Sequence, residues 1–183
     1  NEPEFTQDWF STRIPFWQRW LGRFKNQEVN FMEIGVFEGR ATRWLWENIL
    51  THPKSKITCI DNFIGAEDTL KAGIDCSRMK SLFEYNISLW KNRTTIYEGR
   101  SQEIVPKMDE KFDFIYIDGS HLAPDVFIDA ANCWNKLKIN GTLVFDDYMW
   151  REEKEDYKCP YPAIDAFLTC FKSKYEMMGR GMQ

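Results

Sequence analysis

The sequence predicts an α/β fold with a doubly wound, mostly parallel sheet and helices on both faces. Short apolar segments alternate with stretches of about 10–15 residues that carry apolar side chains at helical spacing, which is the pattern of βαβ units. The segment FDFIYID (112–118) is almost continuously apolar, as expected for a strand buried on both faces. Glycines and acidic residues follow several of the predicted strands, and ligands bind at those ends in such sheets.

A helix at 13–24 and a strand at 29–37 are the first predicted elements. Pro15 suits the first turn of a helix, and Trp17 and Leu21 recur at helical spacing after it. The segment VNFMEIGVF (29–37) is an apolar run that ends in a glycine-containing turn. We therefore divide the chain into an N-terminal helical segment at 1–28, acting as a lid or cap, and a domain at 29–183.

Alternating helices and strands continue through the middle of the chain. Ala41, Trp44, Leu45 and Ile49 share one helical face, and the strands are short apolar runs between polar segments. The predicted elements are a helix at 40–51, a strand at 56–63, a loop at 64–76, a helix at 77–91, a strand at 94–99 and a helix at 101–108.

The last third of the chain is predicted to complete the sheet. Pro124 begins a helix whose core face is predicted to contain Phe127, Ala130, Trp134 and Leu137. The remaining elements are a turn at 139–141, a fifth strand at 142–147, a charged loop at 151–158, a helix at 162–173 and a sixth strand at 174–183. Only ten residues follow Ser173, so we expect the last strand of the domain to be missing or cut short.

Composition narrows the function classes. The chain has 183 residues and a net charge of −4, so one domain is expected and nucleic acid is not an expected partner. No apolar run approaches the ~18 residues of a membrane span, and no leader pattern is present at the start. Five cysteines without CxxC spacing suggest free thiols in a reducing compartment. We expect a cytoplasmic protein without membrane contact, and leave a homo-oligomer open.

The segment EIGVFEG (33–39) joins the first strand to the next helix. Its glycines permit a tight turn and close approach of a ligand, whereas the dinucleotide fingerprint G-x-G-x-x-G is absent. Asp61 ends the second strand, where a carboxylate commonly binds ribose hydroxyls. An acid, one residue and G-x-x-x-G resemble the first motif of the class I S-adenosylmethionine-dependent methyltransferases, over roughly residues 29–180.

This resemblance implies a Rossmann-like methyltransferase fold with S-adenosylmethionine as its cofactor. Gly35 and Gly39 would line the methionine moiety, Glu33 would act beside the amino group, and Asp61 would bind ribose. Gly99-Arg100-Ser101 follows the third strand, and its position would place Ser101 at the adenine. Asp118 would lie near the transferred methyl group.

Three carboxylates and a histidine follow the fourth and fifth strands. Asp118 and His121 end FDFIYIDGSH, and Asp146-Asp147 end GTLVFDD. Neighbouring parallel strands would bring Asp118, Asp146 and Asp147 together, and such oxygen ligands suit Mg²⁺. His121 lies within reach of the same place and titrates near neutral pH. Each residue also has a simpler role, as a strand end, a loop cap or a helix cap.

The sequences IDGSH and DDY resemble the metal-dependent macrolide-sugar and aminocoumarin-sugar O-methyltransferases. This resemblance implies metal binding by Asp118, Asp146 and Asp147 and a general base at His121, with Asp118 also catalytic. The expected acceptor is a small molecule or glycan with adjacent hydroxyls, with a sugar as the first expectation. A metal-independent N- or O-methyltransferase and a non-catalytic methyltransferase-like partner subunit remain alternatives. A nicotinamide oxidoreductase fits less well because of the glycine spacing.

Overall fold

The computed structural model describes residues 2–151 and 154–181. Its five strands form one parallel sheet in the order β3-β2-β1-β4-β5, which confirms the predicted doubly wound α/β fold. The strands are β1 Asn30–Ile34, β2 Lys56–Asp61, β3 Thr94–Glu98, β4 Phe112–Ile117 and β5 Leu137–Phe145. The helices are α1 Ile14–Leu21, α2 Arg40–Asn48, α3 Glu67–Lys71, α4 Met79–Asn86, α5 Ser101–Ile104, α6 Ala123–Trp134 and α7 Tyr161–Cys170.

The strand order reverses between β1 and β4, the two central strands. From β1 the chain first adds β2 and β3 on one side of the sheet. It then crosses back and adds β4 and β5 on the other side of β1. At such a reversal the connections leave in opposite directions, so a crevice opens at the carboxyl ends of the strands. The residues after β1 and β4 are therefore the ones that the fold places beside a ligand.

Each face of the sheet carries its own hydrophobic core. Phe114 and Tyr116 of β4 point to the core that contains α1 and α2, whereas Ile115 and Ile117 point to the core that contains α6 and α7. This alternation follows from the two-residue period of a strand. Both faces of β4 are buried, so its nearly continuous apolar sequence is explained.

The N-terminal segment packs directly on the sheet. Trp17 of α1 has no exposed surface, and its ring makes edge-to-face contacts with Phe114 at 5.5 Å and Tyr116 at 4.8 Å between centroids. Aromatic pairs of this geometry stabilise beyond their buried area. The N-terminal segment is thus part of the first core, and a division of the chain at residue 28 stays a prediction.

The predicted sixth strand does not form in residues 174–181, and residues 182–183 lie outside the described part. The polar groups of this segment bind α7 and its surroundings instead: the Tyr175 hydroxyl donates to the carbonyl of Leu168 at 3.3 Å, and Arg180 pairs with Asp165 at 3.1 Å. Met177 and Met178 are both about half exposed, so the apolar alternation of a half-buried strand is missing.

Other element boundaries also differ from the sequence-based expectations. The expected loop at 64–76 contains α3, and the expected helix at 77–91 is α4 followed by a 3₁₀ turn at Ser88–Arg93. The expected turn at 139–141 lies inside β5, where the pairing with β4 is irregular and Asn140 has a φ of +64°. The turn-forming residues thus produce a bulge and not a strand end.

The buried face of α6 is displaced from the predicted one. Phe127 is 40% exposed, while Val126, Ala130 and Cys133 are buried together with Asp129. Asp129 interrupts the apolar spacing of the buried face, and the apolar residues Phe127 and Ile128 beside it are exposed. Among the described residues, no helix has the length and apolar character needed to span a bilayer.

Candidate active site

A cleft of about 1190 Å³ opens at the carboxyl ends of the strands. Nine carboxylate side chains and five Lys or Arg side chains line it among the described residues, so its charge favours a cationic ligand. Most predicted site residues line the cleft: Glu33, Gly35, Asp61, Ser101, Asp118, His121, Asp146 and Asp147.

The two glycines of EIGVFEG have different roles. Gly35 has a φ of +80° and lies against β4 so closely that a Cβ would fall 2.7 Å from the Cα of Gly119 and still nearer the carbonyl oxygen of Asp118. Gly39, also at +80°, precedes α2, and a Cβ there would fall 2.7 Å from the ring of Phe83. Gly35 lines the cleft, whereas Gly39 packs against α4.

Glu33 is a buried acid within β1. Its side chain is 1% exposed, and its Oε2 accepts a hydrogen bond from the Thr42 hydroxyl at 2.7 Å. Burial raises the pKa of Glu33 to about 8, with a smaller contribution from the negative charge of Asp61. Near neutral pH the carboxyl group is therefore mainly protonated in this structure, and a cationic ligand beside it would favour its ionised form.

The raised pKa of Glu33 predicts a pH dependence of stability. The folded state holds its proton up to a pH of about 8, whereas an unfolded chain releases it near 4.5. The folded state therefore binds more protons in this interval, and the free energy of unfolding should fall as pH rises through it. Chemical denaturation at a series of pH values should show this slope, and Glu33→Gln should flatten it. Glu47→Gln, an exposed carboxylate on α2, is the control; an equal effect of both variants would contradict the assignment.

Asp61 holds the loop that follows β1. Its Oδ2 accepts the backbone N–H groups of Val36 at 2.8 Å and Phe37 at 3.1 Å, and its Oδ1 accepts the N–H of Phe63 at 2.8 Å. The carboxylate thus fixes the loop between Gly35 and Gly39 while it also lines the cleft. Ser101, at the start of α5, donates its hydroxyl hydrogen to Asp129 of α6 at 2.7 Å.

Asp118, His121 and Asp147 form the cluster that could hold a metal ion. One ligand atom from each lies within 4.8 Å of the other two, and His121 Nε2 is 2.8 Å from Asp147 Oδ2. Asp147 has a φ of +56°, which is uncommon for a residue other than glycine and is often found at functional sites. The ring of Trp150 packs on His121 at 4.6 Å between centroids.

Asp146 makes different contacts from the other two aspartates. The hydroxyl of Tyr116 contacts both Asp146 and, at 2.9 Å, Asp118, and Arg13 Nη2 is 3.5 Å from Asp146 Oδ1. Burial raises the pKa of Asp118 well above its usual range, and the charges of Asp146 and Asp147 raise it further. The predicted third metal ligand is thus adjacent to the cluster and is held by a phenol and a guanidinium.

The N-terminal segment forms one wall of the cleft. Both carboxylate oxygens of Glu38 bind Thr6, one through its N–H and one through its hydroxyl, each at 2.7 Å. The ring of Trp9 contacts Phe37 at 4.8 Å. Two residues of the loop after β1 thus hold the segment that brings Trp9 and Arg13 to the cleft, and the role of this segment as a lid or cap stays a prediction.

Three residues of the site were not identified from the sequence: Tyr116, Arg13 and Glu38. Tyr116 precedes Asp118 by two positions in the same chain segment, so strand periodicity alone places both on one side of β4. No such pattern singled out Arg13, because its partner Asp146 is distant in sequence. Glu38 lies within the glycine motif but binds the N-terminal segment.

Comparison with known proteins identifies the family. The profile of a family described as a methyltransferase domain matches residues 32–148. An uncharacterized protein of Acanthamoeba polyphaga mimivirus is 25% identical over 168 residues, which cover 85% of this chain and 69% of that protein.

Solved structures with low sequence identity share the fold. A Klebsiella pneumoniae protein described as an O-methyltransferase is 14% identical with a TM-score of 0.66, covering 92% of this chain and 71% of that one. The TDP-rhamnose 3'-O-methyltransferase of calicheamicin biosynthesis is 16% identical with a TM-score of 0.58, covering 94% and 78%.

A mycinamycin biosynthetic methyltransferase, solved with Mg, S-adenosylhomocysteine and mycinamycin VI, is 16% identical with a TM-score of 0.60. The alignment covers 96% of this chain but only 45% of that protein. The family match runs from within β1 to Tyr148, so it includes most of the strands and loops that border the cleft but not the N-terminal wall. This chain therefore belongs to the methyltransferase domain family and has the fold of the class I S-adenosylmethionine-dependent O-methyltransferases that it resembles.

Proposed function

We propose that this protein is a metal-assisted, S-adenosylmethionine-dependent O-methyltransferase that acts on one hydroxyl of an adjacent pair, on a sugar or glycan. The observation that carries this proposal is the cluster of Asp118, His121 and Asp147 within the cofactor cleft. Carboxylate oxygens are the ligands that Mg²⁺ prefers. A neutral hydroxyl is a poor nucleophile, so a cation and a base beside it answer a requirement of the reaction.

The cofactor would occupy the part of the cleft bordered by Gly35, Asp61 and Ser101. The absence of a side chain at Gly35 lets the loop after β1 lie directly against the backbone of Asp118 and Gly119, and Asp61 holds the neighbouring N–H groups in place. The excess of carboxylates over Lys and Arg side chains suits the sulfonium and amino groups of S-adenosylmethionine. Glu33, buried and mainly protonated near neutral pH, would gain negative charge as the cationic cofactor binds.

The metal would be held by Asp118 and Asp147, with Asp146 as the third carboxylate. Burial and then the negative charges of Asp146 and Asp147 raise the pKa of Asp118, and a divalent cation beside these carboxylates would offset their repulsion. Such a cation, when bound, supplies a positive charge that acidifies and orients an acceptor hydroxyl. Asp146 could reach it only if its contacts with Tyr116 and Arg13 are rearranged.

His121 is proposed as the base that accepts the hydroxyl proton. Its contact with Asp147 at 2.8 Å holds the ring in one orientation, as in other base–carboxylate pairs. As the acceptor oxygen bonds to the methyl carbon, the bond from that carbon to sulfur breaks, and the products are the methyl ether and S-adenosylhomocysteine. Trp150, packed on His121, shields the ring from one side.

Aromatic side chains favour a sugar as the acceptor. Trp9 and Trp150 line the cleft, and ring faces of this kind pack against the apolar faces of flat or cyclic ligands. Two proteins of the same fold further support the proposal. One is described as a TDP-rhamnose 3'-O-methyltransferase, which supports a sugar acceptor, and the other is a mycinamycin methyltransferase with bound Mg, which supports a metal. Methyl transfer to nucleotide sugars, free glycans and catechols, measured with and without Mg²⁺, would identify the acceptor class.

Metal binding can be tested without knowing the acceptor. We expect Asp118→Asn and Asp147→Asn to weaken Mn²⁺ binding by at least about 10-fold, because each change removes a charged ligand. Titration of the protein with Mn²⁺, followed by electron paramagnetic resonance, measures this directly. Asp109→Asn, an exposed carboxylate outside the cleft, should bind Mn²⁺ like the wild type.

Removal of metal should also stop methyl transfer. Full activity of chelator-treated protein would overturn the metal role and favour a metal-independent N- or O-methyltransferase. Absence of S-adenosylhomocysteine binding by calorimetry would instead favour a non-catalytic methyltransferase-like partner subunit.

A further inference from the structure

Asp129 is a buried carboxylate that the proposed reaction does not use. It belongs to α6, is 1% exposed, and lies behind the wall that α5 contributes to the cleft. Its Oδ1 accepts two hydrogen bonds, from the Ser101 hydroxyl at 2.7 Å and from the Gln102 Nε2 at 3.0 Å. Both donors line the cleft, whereas Asp129 does not. Burying an ionised carboxylate costs free energy unless hydrogen bonds compensate it. The role of Asp129 should therefore be sought in the two groups that donate to it.

The contacts of Gln102 fix the orientation of its amide group. An ionised carboxylate only accepts hydrogen bonds, so the group that faces Asp129 must be the amide NH₂. A guanidinium only donates, and Arg100 Nε approaches the Gln102 Oε1 at 3.4 Å. Both neighbours therefore select the same orientation, in which the amide oxygen is on the side away from Asp129.

We propose that Asp129 is a positioning residue for recognition of the cofactor's base, because it holds the amide NH₂ of Gln102 and so turns the amide oxygen away from α6 to the side of Arg100, where its second lone pair can accept a hydrogen bond from a ligand in the cleft. This inference rests on the proposed use of S-adenosylmethionine. An acceptor at this place matches the exocyclic amino group of adenine, which donates a hydrogen bond. A 6-oxopurine has a carbonyl oxygen there, and two facing acceptors repel each other.

Asp129 selects one orientation of the Gln102 amide only when its carboxylate is ionised, because a protonated acid could donate to the amide oxygen. Burial raises the pKa of Asp129 to about 7, and its hydrogen bond with Ser101 opposes this shift. Asp125 raises the pKa further, whereas Gln102 and Arg100 lower it. Measurements at a pH of about 8.5 therefore observe mainly the acceptor-only form.

Calorimetric titration with two cofactor products tests the proposal. S-adenosylhomocysteine carries the 6-amino group, and S-inosylhomocysteine is the same molecule with a 6-oxo group. We expect the wild type to bind the adenosyl compound at least about tenfold more tightly, since the oxo compound leaves a polar group facing another acceptor. Asp129→Asn should reduce this ratio to within about threefold, because an asparagine amide can donate and so lets the Gln102 amide turn over.

Two further variants separate positioning from general damage to the fold. Ser101→Ala removes the other hydrogen bond of Asp129 and should keep the preference, even if both affinities fall together. Gln102→Ala should lose the preference for the adenosyl compound. This change alters a side chain at the cleft wall and leaves the buried Asp129 in place. A general loosening of the structure would lower both affinities and leave their ratio unchanged.

Each outcome bears on a defined claim. An Asp129→Asn protein that keeps the wild-type ratio, or a wild type without preference, overturns the role of Asp129 while the proposed function stands. A wild type that binds neither compound overturns the proposed cofactor, and this inference with it.

Discussion

Gly35→Ala is expected to abolish cofactor binding and to destabilise the fold. The alanine Cβ would lie 2.7 Å from the Cα of Gly119 and closer still to the carbonyl of Asp118, and these backbone atoms cannot move aside as a side chain can. Overpacking of this kind costs about 1–3 kcal/mol, and a φ of +80° adds about 1–2 kcal/mol for a residue with a Cβ. Relief of the clash would separate β1 from β4, which form the crevice.

The effect of φ and the effect of the close approach can be measured separately. Gly73 has a φ of +75°, but a Cβ there would meet no atom within 4 Å. Gly73→Ala should therefore show only the cost of the backbone conformation, and it should still bind S-adenosylhomocysteine. Chemical denaturation and calorimetry of both variants provide the comparison. Equal destabilisation by the two changes would show that the contact of Gly35 with β4 is unimportant.

His121→Ala is expected to lower kcat by about 10²- to 10⁴-fold, the usual contribution of a general base. The affinity for S-adenosylhomocysteine should be unchanged, because the proposed role concerns the acceptor proton. Rates are measured with the acceptor that the substrate screen identifies, and cofactor affinity by calorimetry. The chain has a second histidine, His52, which is outside the cleft. His52→Ala should therefore match the wild type in both measurements.

Metal binding by the same variant decides between two roles of His121. The imidazole lies within 4.8 Å of Asp118 and Asp147, so it could serve as a ligand instead of a base. If the carboxylates hold the metal, we expect His121→Ala to weaken Mn²⁺ binding by no more than about 10- to 100-fold, the usual effect of removing a group that supports a ligand such as Asp147. Loss of Mn²⁺ binding together with activity would identify His121 as a ligand and contradict its assignment as the base.

The fold was predictable because its signals are local. The apolar run of β4 and the helical spacing in α2 require burial on known faces, and strand–helix alternation then leaves few topologies. The predicted sixth strand was wrong: the polar groups of Tyr175 and Arg180 contact Leu168 and Asp165 of α7, and the segment at 174–181 does not pair with the sheet. Such contacts are tertiary, and the sequence pattern does not contain them.

The sequence predicts where the candidate site lies but not which of its side chains contact one another. The ends of neighbouring parallel strands lie at the same edge of the sheet, so Asp118, Asp146 and Asp147 were expected together. The contacts of Asp146 with Arg13 and Tyr116 depend on how the N-terminal segment crosses the sheet. Asp129 was overlooked because an acid on a buried helix face contradicts the apolar pattern that predicts such faces, and only its hydrogen bonds explain it.

The two hydrogen bonds that Thr6 donates to Glu38 have a consequence for protein engineering. New acceptor preferences are often sought by transplanting a variable terminal segment from one homologue to another. Here that segment is held to the loop after β1 by both oxygens of one carboxylate. A chimera that exchanged residues 2–13 without their anchor would leave Glu38 buried and unsatisfied at the loop it stabilises. The transplantable unit is therefore discontinuous, and a functional graft must include position 38 with the donor segment.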